Sequence, residues 1–276
     1  MKIKHVLLFT SIVGGSILIS SCYKKFDASS YAPALNIGGY TSASAIATSN
    51  LVGYWPFNGS TVETVSNNAG TNTGTSFANG IKGQALQGAN NSYVVYNTPP
   101  AIQSLHSFTV SLWVNSPQNT NGIVGLLDIA NAGNFWGNLV IFFENGGTAT
   151  SANLKIHVNN AGADAWLGNY AISNPWNTWM NIAVTYDATT STFKVYVNGS
   201  IIATQAQPGF GPLVFQNASK MVIGTVQFQT TPSLNGGTTQ PWASYLTGQV
   251  DEVRIYNVAL SASDLGSLVK LEGRGK

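Results

Sequence analysis

The chain has 276 residues, and only 8% of them are charged, with 12 Lys and Arg against 10 Asp and Glu. Away from the two ends, the few basic residues are scattered singly and form no basic stripe, which argues against nucleic acid as a partner. Asn, Thr, Ser and Gly are abundant instead. A surface wetted by amides and hydroxyls is typical of many extracellular β proteins.

The amino terminus has the pattern of a secretion signal. A basic head with Lys2 and Lys4 precedes an apolar core that ends near Ile19 and is too short to span a membrane. The next residues, Ser20-Ser21-Cys22, resemble the end of a bacterial lipobox, in which the Cys sulfur takes a diacylglycerol before cleavage on its N-terminal side. This is the only cysteine, so it has no disulfide partner. We expect a signal peptide at residues 1–21 and a lipid on Cys22; the alternative is a secreted protein with an incidental cysteine.

The stretch from Cys22 to residue 50 is predicted to be a flexible tether. It begins with Tyr23-Lys24-Lys25-Phe26-Asp27 and continues rich in Ser, Ala, Thr and Gly, a composition that buries little apolar surface. This segment resembles the export signals of surface lipoproteins in glycan-foraging Gram-negative bacteria. The resemblance implies a lipid-anchored protein of the outer membrane, exposed at the cell surface, with inner-leaflet placement as the alternative.

Short strands are predicted along the remaining 226 residues, because apolar residues alternate with polar ones. Asn198-Gly199 is the strongest hairpin signal, since both residues tolerate a positive φ. The predicted strands are 51–57, 92–96, 107–115, 122–129, 138–144, 153–158, 179–186, 192–197, 200–204, 220–226 and 245–256. One short helix is predicted at 263–271.

Strands of this length and spacing predict an all-β fold, an antiparallel sandwich of two sheets or a jelly roll. Clusters of Gly, Asn and Pro separate the strands, and no internal repeat is present. We therefore predict one domain, covering residues 51–276.

Five blocks of the sequence resemble laminin-G-like, concanavalin-A-like jelly rolls, and they occur in the family's order. They are LVGYWPFNG at 51–59, FTVSLWV at 108–114, WMNIAVTYD at 179–187, KVYVNG at 194–199 and GQVDEVRIYNVALS at 248–261. The resemblance implies a concanavalin-A-like fold. It leaves function open, because this fold hosts lectins, glucanases, sialidase accessory modules and adhesion domains.

The same resemblance implies a structural calcium ion that ties the first strand to the last. Asp251 occupies the matching acid position, and Asn58 offers a side-chain carbonyl opposite it. The alternative is that Asp251 accepts backbone N–H groups or pairs with Arg254. The loop from Ser60 to Gly74 departs from the family pattern, because Glu63 is its only acid.

Enzymatic function is not expected. Glucanases of this fold carry their paired carboxylates at alternating positions of one strand, and no such motif occurs here. Asp251 and Glu252 are adjacent and would point to opposite faces of a regular strand. Asp128, Glu144, Asp164 and Asp187 are scattered singly, and only Glu144 with Asp164 remains as a candidate pair for a hydrolase. No Gly-x-Ser-x-Gly elbow is present.

Three tryptophans in polar loops are the candidate carbohydrate-binding residues. Indole faces stack on the C–H faces of pyranose rings, while amides and carboxylates satisfy the hydroxyl groups. The candidates are Trp136, Trp166 and Trp242, with Asp164, Asn138 and Asn169 as polar partners. Trp55, Trp113 and Trp179 lie in the family blocks and are interpreted as core residues, and Trp176 as a lid on the core.

The sequence thus predicts a surface lipoprotein that binds a glycan without cleaving it. A structural or accessory subunit of an outer-membrane complex, which binds protein through the same face, is the alternative.

Overall fold

In a computed structural model, the described residues are 35–276, and they form one compact unit. The strands are β1 Leu51–Trp55, β2 Val62–Glu63, β3 Asn68–Ala69, β4 Thr71–Thr73, β5 Ser76–Asn79, β6 Gln84–Gln87, β7 Tyr93–Asn97, β8 Phe108–Asn115, β9 Ile123–Ile129, β10 Leu139–Thr148, β11 Ser151–Asn160, β12 Ala163–Ser173, β13 Met180–Asp187, β14 Thr192–Val197, β15 Ser200–Ala206, β16 Lys220–Ile223, β17 Ala243–Ser244 and β18 Gln249–Tyr256. The helices are α1 Pro100–Gln103 and α2 Ala262–Glu272, with short 3-10 turns at Ala43–Ala45, Thr48–Asn50 and Gln227–Gln229. Among these residues, no helix combines the length and apolar character needed to cross a membrane.

The strands form two large sheets. The first, here called the helix-covered sheet, runs β15-β14-β13-β8-β18-β6-β5, with β1 paired to β18. The second, here called the aromatic sheet, runs β12-β11-β10-β9-β16-β7-β4, with β17 paired to β9. Within these two sheets every pairing is antiparallel except β17 with β9. The predicted all-β, two-sheet antiparallel sandwich is confirmed.

The core lies between the sheets and is built by strand alternation. Phe108, Val110 and Leu112 of β8 point into it from one sheet. Leu139 and Ile141 of β10 meet them from the other sheet. All are fully buried, and each side chain of this size contributes about 1.5–3 kcal/mol on burial. The intervening residues of each strand therefore face outward, where they can carry function.

The strand prediction is wrong for β12, because this segment has the composition of a polar loop but forms a strand of 11 residues. Ala165 and Leu167 supply its buried side, but the opposite side carries Asp164 and Trp166, and small or polar residues of weak strand preference surround them. The strand forms because β11 offers a free edge along its whole length. Trp166 is consequently a strand residue rather than a loop residue.

The segment predicted as tether is partly folded against the domain. Ala43 and Ile46 are completely buried and pack with Leu265 and Leu268 of α2, over the outer face of the helix-covered sheet. This contact moves the start of the compact unit from the predicted residue 51 to Leu35. Cys22 and residues 1–34 lie outside the described residues.

A buried ionic network attaches α2 to the same sheet. Arg254 on β18 donates from Nε to Glu272 Oε1 at 2.6 Å and from Nη2 to Glu252 Oε2 at 2.9 Å. Its guanidinium carbon lies 3.8 Å from the centre of the Tyr54 ring, and Trp113 Nε1 donates to Glu272 Oε2 at 2.8 Å. Charges this deep are tolerated only when they are paired and hydrogen-bonded. The network therefore gives the outer face of the helix-covered sheet a structural role, which is to hold α2.

Candidate functional site

The outer face of the aromatic sheet carries a row of rings. Antiparallel pairing sets Val140 on β10 opposite His157 on β11, and His157 opposite Trp166 on β12. Side chains directly opposite one another on neighbouring strands lie close enough to touch. The centres of the His157 and Trp166 rings are 4.3 Å apart.

The loop between β9 and β10 places two more rings over this face. Trp136 stacks on Phe142 of β10 with 5.4 Å between centroids, and it meets Trp166 edge-on at 5.2 Å. Phe135 stacks on Phe228 at 4.4 Å. Such pairs are worth about 0.5–1.5 kcal/mol beyond the burial of their area. The rings therefore support one another and fix the shape of the loop.

Gln227 holds this loop by its backbone. Its Nε2 donates to the carbonyl oxygens of Asn134 and Phe135 at 2.8 and 2.9 Å, and its Oε1 accepts from the backbone N–H of Asn131 at 2.7 Å. A buried amide that satisfies three backbone groups leaves the loop little freedom.

Trp242 completes the group from a separate loop, directly before β17. Its ring centre lies 6.1 Å from those of Phe135 and Trp136 and 5.3 Å from that of Phe228. The structure thus brings the three predicted indoles together. We call Phe135, Trp136, Trp166 and Trp242 the aromatic patch.

Most of the aromatic patch is open to solvent. Phe135 is 38% exposed, Trp166 39% and Trp242 37%, while Trp136 is half-buried at the centre. Clustered exposed rings of this size mark interaction surfaces, because a monomer that only needs to fold has no reason to keep them in water.

Charged groups border the patch on its β12 side. Asp164 Oδ1 accepts from His157 Nε2 at 2.9 Å and from Asn159 Nδ2 at 2.6 Å, while its side chain stays 47% exposed. Lys155 Nζ lies 5.1 Å from the centre of the Trp166 ring and pairs with Glu144 at 2.9 Å. The predicted partner Asp164 is therefore held in place beside Trp166 with exposed oxygen available.

Asn138 does not fit the predicted binding role, because it is completely buried. Its Nδ2 donates to the carbonyl oxygens of Ala130 and Gln216, and its Oδ1 accepts from the Gln216 backbone N–H. Through these bonds the Asn138 amide holds the neighbouring loop that carries Gln216. Asn169 is exposed in the bulge of β12, between Leu167 and Tyr170, and its side chain makes no hydrogen bond to another described residue.

Two buried titratable groups lie beneath the patch. His157 is completely buried, with Nδ1 3.1 Å from the Gly137 carbonyl oxygen, and burial lowers the pKa of His157 against the opposing effect of Asp164. Asp128 accepts from the Gln227 N–H at 2.7 Å through Oδ2, but its buried Oδ1 has no hydrogen-bond partner among residues 35–276. Burial raises the pKa of Asp128 to about 7, although the Gln227 N–H opposes this. A Cβ on Gly137 would lie 1.9 Å from Asp128 Oδ1, so only glycine lets the patch loop approach so closely.

The candidate hydrolase pair is too far apart. Glu144 lies opposite Asn153 of β11, and Asp164 lies opposite Asn159, six residues further along the same strand. At the rise of a β-strand, the backbone positions of the two acids are therefore about 20 Å apart along the strand direction. Acid and base carboxylates of glycosidases lie about 5–10 Å apart. The backbone positions of Glu144 and Asp164 are thus further apart than a glycosidase pair requires, and the Glu144 carboxylate is engaged by Lys155.

The predicted calcium ligands lie near each other but are engaged by the backbone. Asp251 accepts from the Lys82 N–H through Oδ2 at 3.2 Å and from the Glu252 N–H through Oδ1 at 2.8 Å. Asn58 Oδ1 accepts from the Gln84 N–H at 2.8 Å. Nowhere in residues 35–276 do three His, Cys, Asp or Glu side chains meet as a metal site. In these contacts Asp251 and Asn58 hold the backbone of Lys82 and Gln84 in place, and calcium binding stays a prediction.

Several residues that support the aromatic patch cannot be recognised as such from the sequence. His157 and Asn159 lie on a regular strand, and their role depends on the unrecognised β12 beside it. Phe228 lies in a 3-10 turn far from Phe135, Trp136 and Trp166 in the sequence. Phe135 had a signal, because it adjoins Trp136 in the same polar loop.

Two large antiparallel sheets packed face to face, with an exposed aromatic face, define a concanavalin A-like sandwich. The family model described as "Concanavalin A-like lectin/glucanases superfamily" matches residues 87–266, which is more than half of the chain. The chain belongs to this superfamily, and the predicted family resemblance is confirmed. No curated protein matches the sequence significantly.

Solved structures share the fold at low sequence identity. The binding domain of Paraclostridial Mosquitocidal Protein 1 is 17% identical with a TM-score of 0.59, over 80% of this chain and 52% of that one. This chain therefore spans about half the length of that binding domain. Domain 4 of the extracellular arabinanase AbnA from Geobacillus stearothermophilus, in complex with arabinotriose, is 23% identical with a TM-score of 0.54, over 80% and 98%. The Ruminococcus gnavus IT-sialidase CBM40, bound to alpha2,3 sialyllactose, is 17% identical with a TM-score of 0.51, over 67% and 96%.

Proposed function

We propose that this protein is a lipid-anchored surface protein that binds carbohydrate through the aromatic patch and does not cleave it. The observation that carries this proposal is the convergence of four rings from three chain segments on one outer face, three of them more than a third exposed. Rings presented at this exposure offer flat apolar faces to the C–H faces of a sugar. Asp164 adds a fixed acceptor for hydroxyl groups at the edge.

The comparisons support this proposal by the nature of the related domains. Among the solved structures that share the fold, one was determined with arabinotriose and another with alpha2,3 sialyllactose. Both belong to domains that accompany a glycan-active enzyme. The separation of Glu144 from Asp164 supports binding without hydrolysis.

The anchor part of the proposal rests on the sequence. Cys22 is the only cysteine and follows a short signal-peptide core. Acylation there would hold the protein at the outer membrane, with the patch available to glycans at the cell surface. One acyl chain holds a protein only marginally, whereas two or more hold it durably.

The test is glycan binding by variants of the patch. Trp166→Ala and Trp242→Ala should each weaken binding by about 1–3 kcal/mol if sugar stacking resembles base stacking on aromatic side chains. Titration calorimetry with a ligand selected on a glycan array measures this loss. Ile202→Ala is the matched control, because Ile202 is a 41% exposed apolar residue on β15 of the other sheet.

Thermal unfolding of each variant separates binding from folding. The proposal requires Trp166→Ala and Trp242→Ala to stay folded and lose affinity while Ile202→Ala keeps both. If neither tryptophan variant changes binding to any glycan on the array, the patch is not the binding site. If another membrane protein stays bound to this protein in mild detergent and no glycan binds, the accessory-subunit alternative is favoured.

A further inference from the structure

A polar cleft adjoins the aromatic patch at one end of the sandwich. It consists of two adjacent depressions of about 500 and 270 Å³, both lined by Asn90, Asn121, Ser244 and Tyr245. The larger one continues along Thr239, Gln240 and Pro241 and ends at Ala243. We call the two depressions together the amide cleft.

Trp242 connects the amide cleft with the patch. The residues on either side of it, Pro241 and Ala243, both line the larger depression, while its ring belongs to the patch. The carbonyl oxygen of Trp242 accepts from the Ile123 N–H at 2.8 Å, which fixes this loop on β9. A chain-like ligand that stacks on Trp242 therefore lies next to two residues that line the cleft.

The polar groups of the cleft are available to a ligand. Asn90, Asn91 and Asn121 are exposed, and within the described part of the chain none of their side chains hydrogen-bonds to another residue. Each amide offers both donors and an acceptor. The ring of Tyr245 rests on Tyr93 with 6.2 Å between centroids, so it adds a supported aromatic wall.

The lining is also uncharged. Neither depression is lined by an Asp, Glu, Lys or Arg side chain. Recognition of a sugar carboxylate normally uses a guanidinium, which matches its two oxygens. The chain has only two arginines: Arg254 is buried and paired, and Arg274 follows α2, which packs on the helix-covered sheet. At the patch, Lys155 is paired with Glu144, and Asp164 contributes further negative charge.

From these features we infer that the ligand is an uncharged oligosaccharide, longer than one terminal sugar, that spans the aromatic patch and the amide cleft together. The inference rests on the proposed carbohydrate-binding function and deepens it by naming the class of glycan. Stacking on the patch supplies one part of the affinity, and amide hydrogen bonds in the cleft supply the part that grows with chain length. Sialylated and uronic acid-containing glycans lack a partner for their carboxylates at this surface.

The experiment measures affinity against chain length on the full folded domain. Neutral arabino-, xylo- and manno-oligosaccharides from the monosaccharide to the hexasaccharide are titrated by calorimetry, together with sialyllactose and oligogalacturonides as acidic probes. For the neutral series that binds, affinity should rise with length and then level off, and the acidic probes should bind at least tenfold more weakly, or not at all. The double variant Asn90→Ala/Asn121→Ala should lose about tenfold on the longest ligand, since two neutral hydrogen bonds are removed, and little on the shortest.

The matched control is Asn79→Ala, because Asn79 is an exposed asparagine on β5 of the other sheet. Affinity that does not depend on chain length, or a double variant that binds every length like the wild type, would overturn the inference while leaving binding at the patch intact. Preferred binding of the acidic probes would overturn the uncharged class. Weaker binding of every chain length by Trp242→Ala, with normal length dependence in the control, supports the shared site. If no glycan binds, or if the patch variants bind every glycan like the wild type, the proposed function itself fails.

Discussion

Replacing Asp128 by Asn should change how the stability of the domain depends on pH. Asp128 is completely buried beneath the aromatic patch, and no group in the described part of the chain hydrogen-bonds to its Oδ1. Burial raises its pKa from the ordinary value of 3.8 to about 7. The folded protein therefore holds this proton at pH values where the unfolded chain has lost it.

The sign and size of the effect follow from proton linkage. A carboxyl group with a raised pKa in the folded state contributes its full stability below about pH 4, and this contribution is lost as pH rises through about 7. Each unit of pKa difference corresponds to about 1.4 kcal/mol, so the upper bound for Asp128 is about 4 kcal/mol. Asn cannot ionise, and it can still accept the Gln227 N–H bond that Asp128 Oδ2 accepts.

The assay is urea unfolding of both proteins from about pH 4 to about pH 8. The free energy of unfolding of Asp128→Asn minus that of the wild type should increase across this window by up to about 4 kcal/mol. Asp187→Asn is the matched control for the loss of a carboxylate, because Asp187 accepts only turn bonds from Thr189 and Thr190 at the surface. A difference that stays flat with pH, or one that falls as pH rises, would refute the reasoning.

Three further predictions concern other parts of the chain. Cys22→Ser removes the only thiol that can carry a lipid, so the protein should leave the membrane fraction; a serine variant that stays bound at high salt contradicts the anchor. If Asp251 holds calcium, chelation should lower the melting temperature, by the equivalent of about 2.7 kcal/mol at a hundredfold excess over Kd, and Asp251→Asn should abolish the response; an unchanged wild type leaves Asp251 as a loop anchor. Glu272→Gln breaks the buried pair with Arg254 and should cost about 3–5 kcal/mol in thermal unfolding, whereas the exposed Lys270→Gln on the same helix should cost little.

The sequence was sufficient for most strands of the core, because in segments such as 108–115 the apolar residues that face the core alternate with Thr, Ser and Trp on the other side. It was insufficient for β12, whose pairing depends on the edge of β11 rather than on its own residues. The indoles of the patch were recognisable as large rings in polar surroundings. Their supporting contacts were not, because Phe228 lies far along the chain from Trp136, and Trp136 reaches the nearby Phe142 only because its loop folds back over β10.

The burial of Asn138 shows the same limit at one residue. An asparagine in a polar loop has the same appearance in the sequence whether its amide binds a ligand or its own backbone. Only the position of Gln216, far along the chain, decides between the two.

The packing of residues 35–50 gives the domain two unlike sides. Ala43 and Ile46 lie over the outer face of the helix-covered sheet, whereas the aromatic patch lies on the outer face of the opposite sheet. Two packed sheets, about 10 Å apart, separate the two sides. The chain thus enters the domain at its back, and a short connection from residue 35 to any support would leave the four rings facing away from that support.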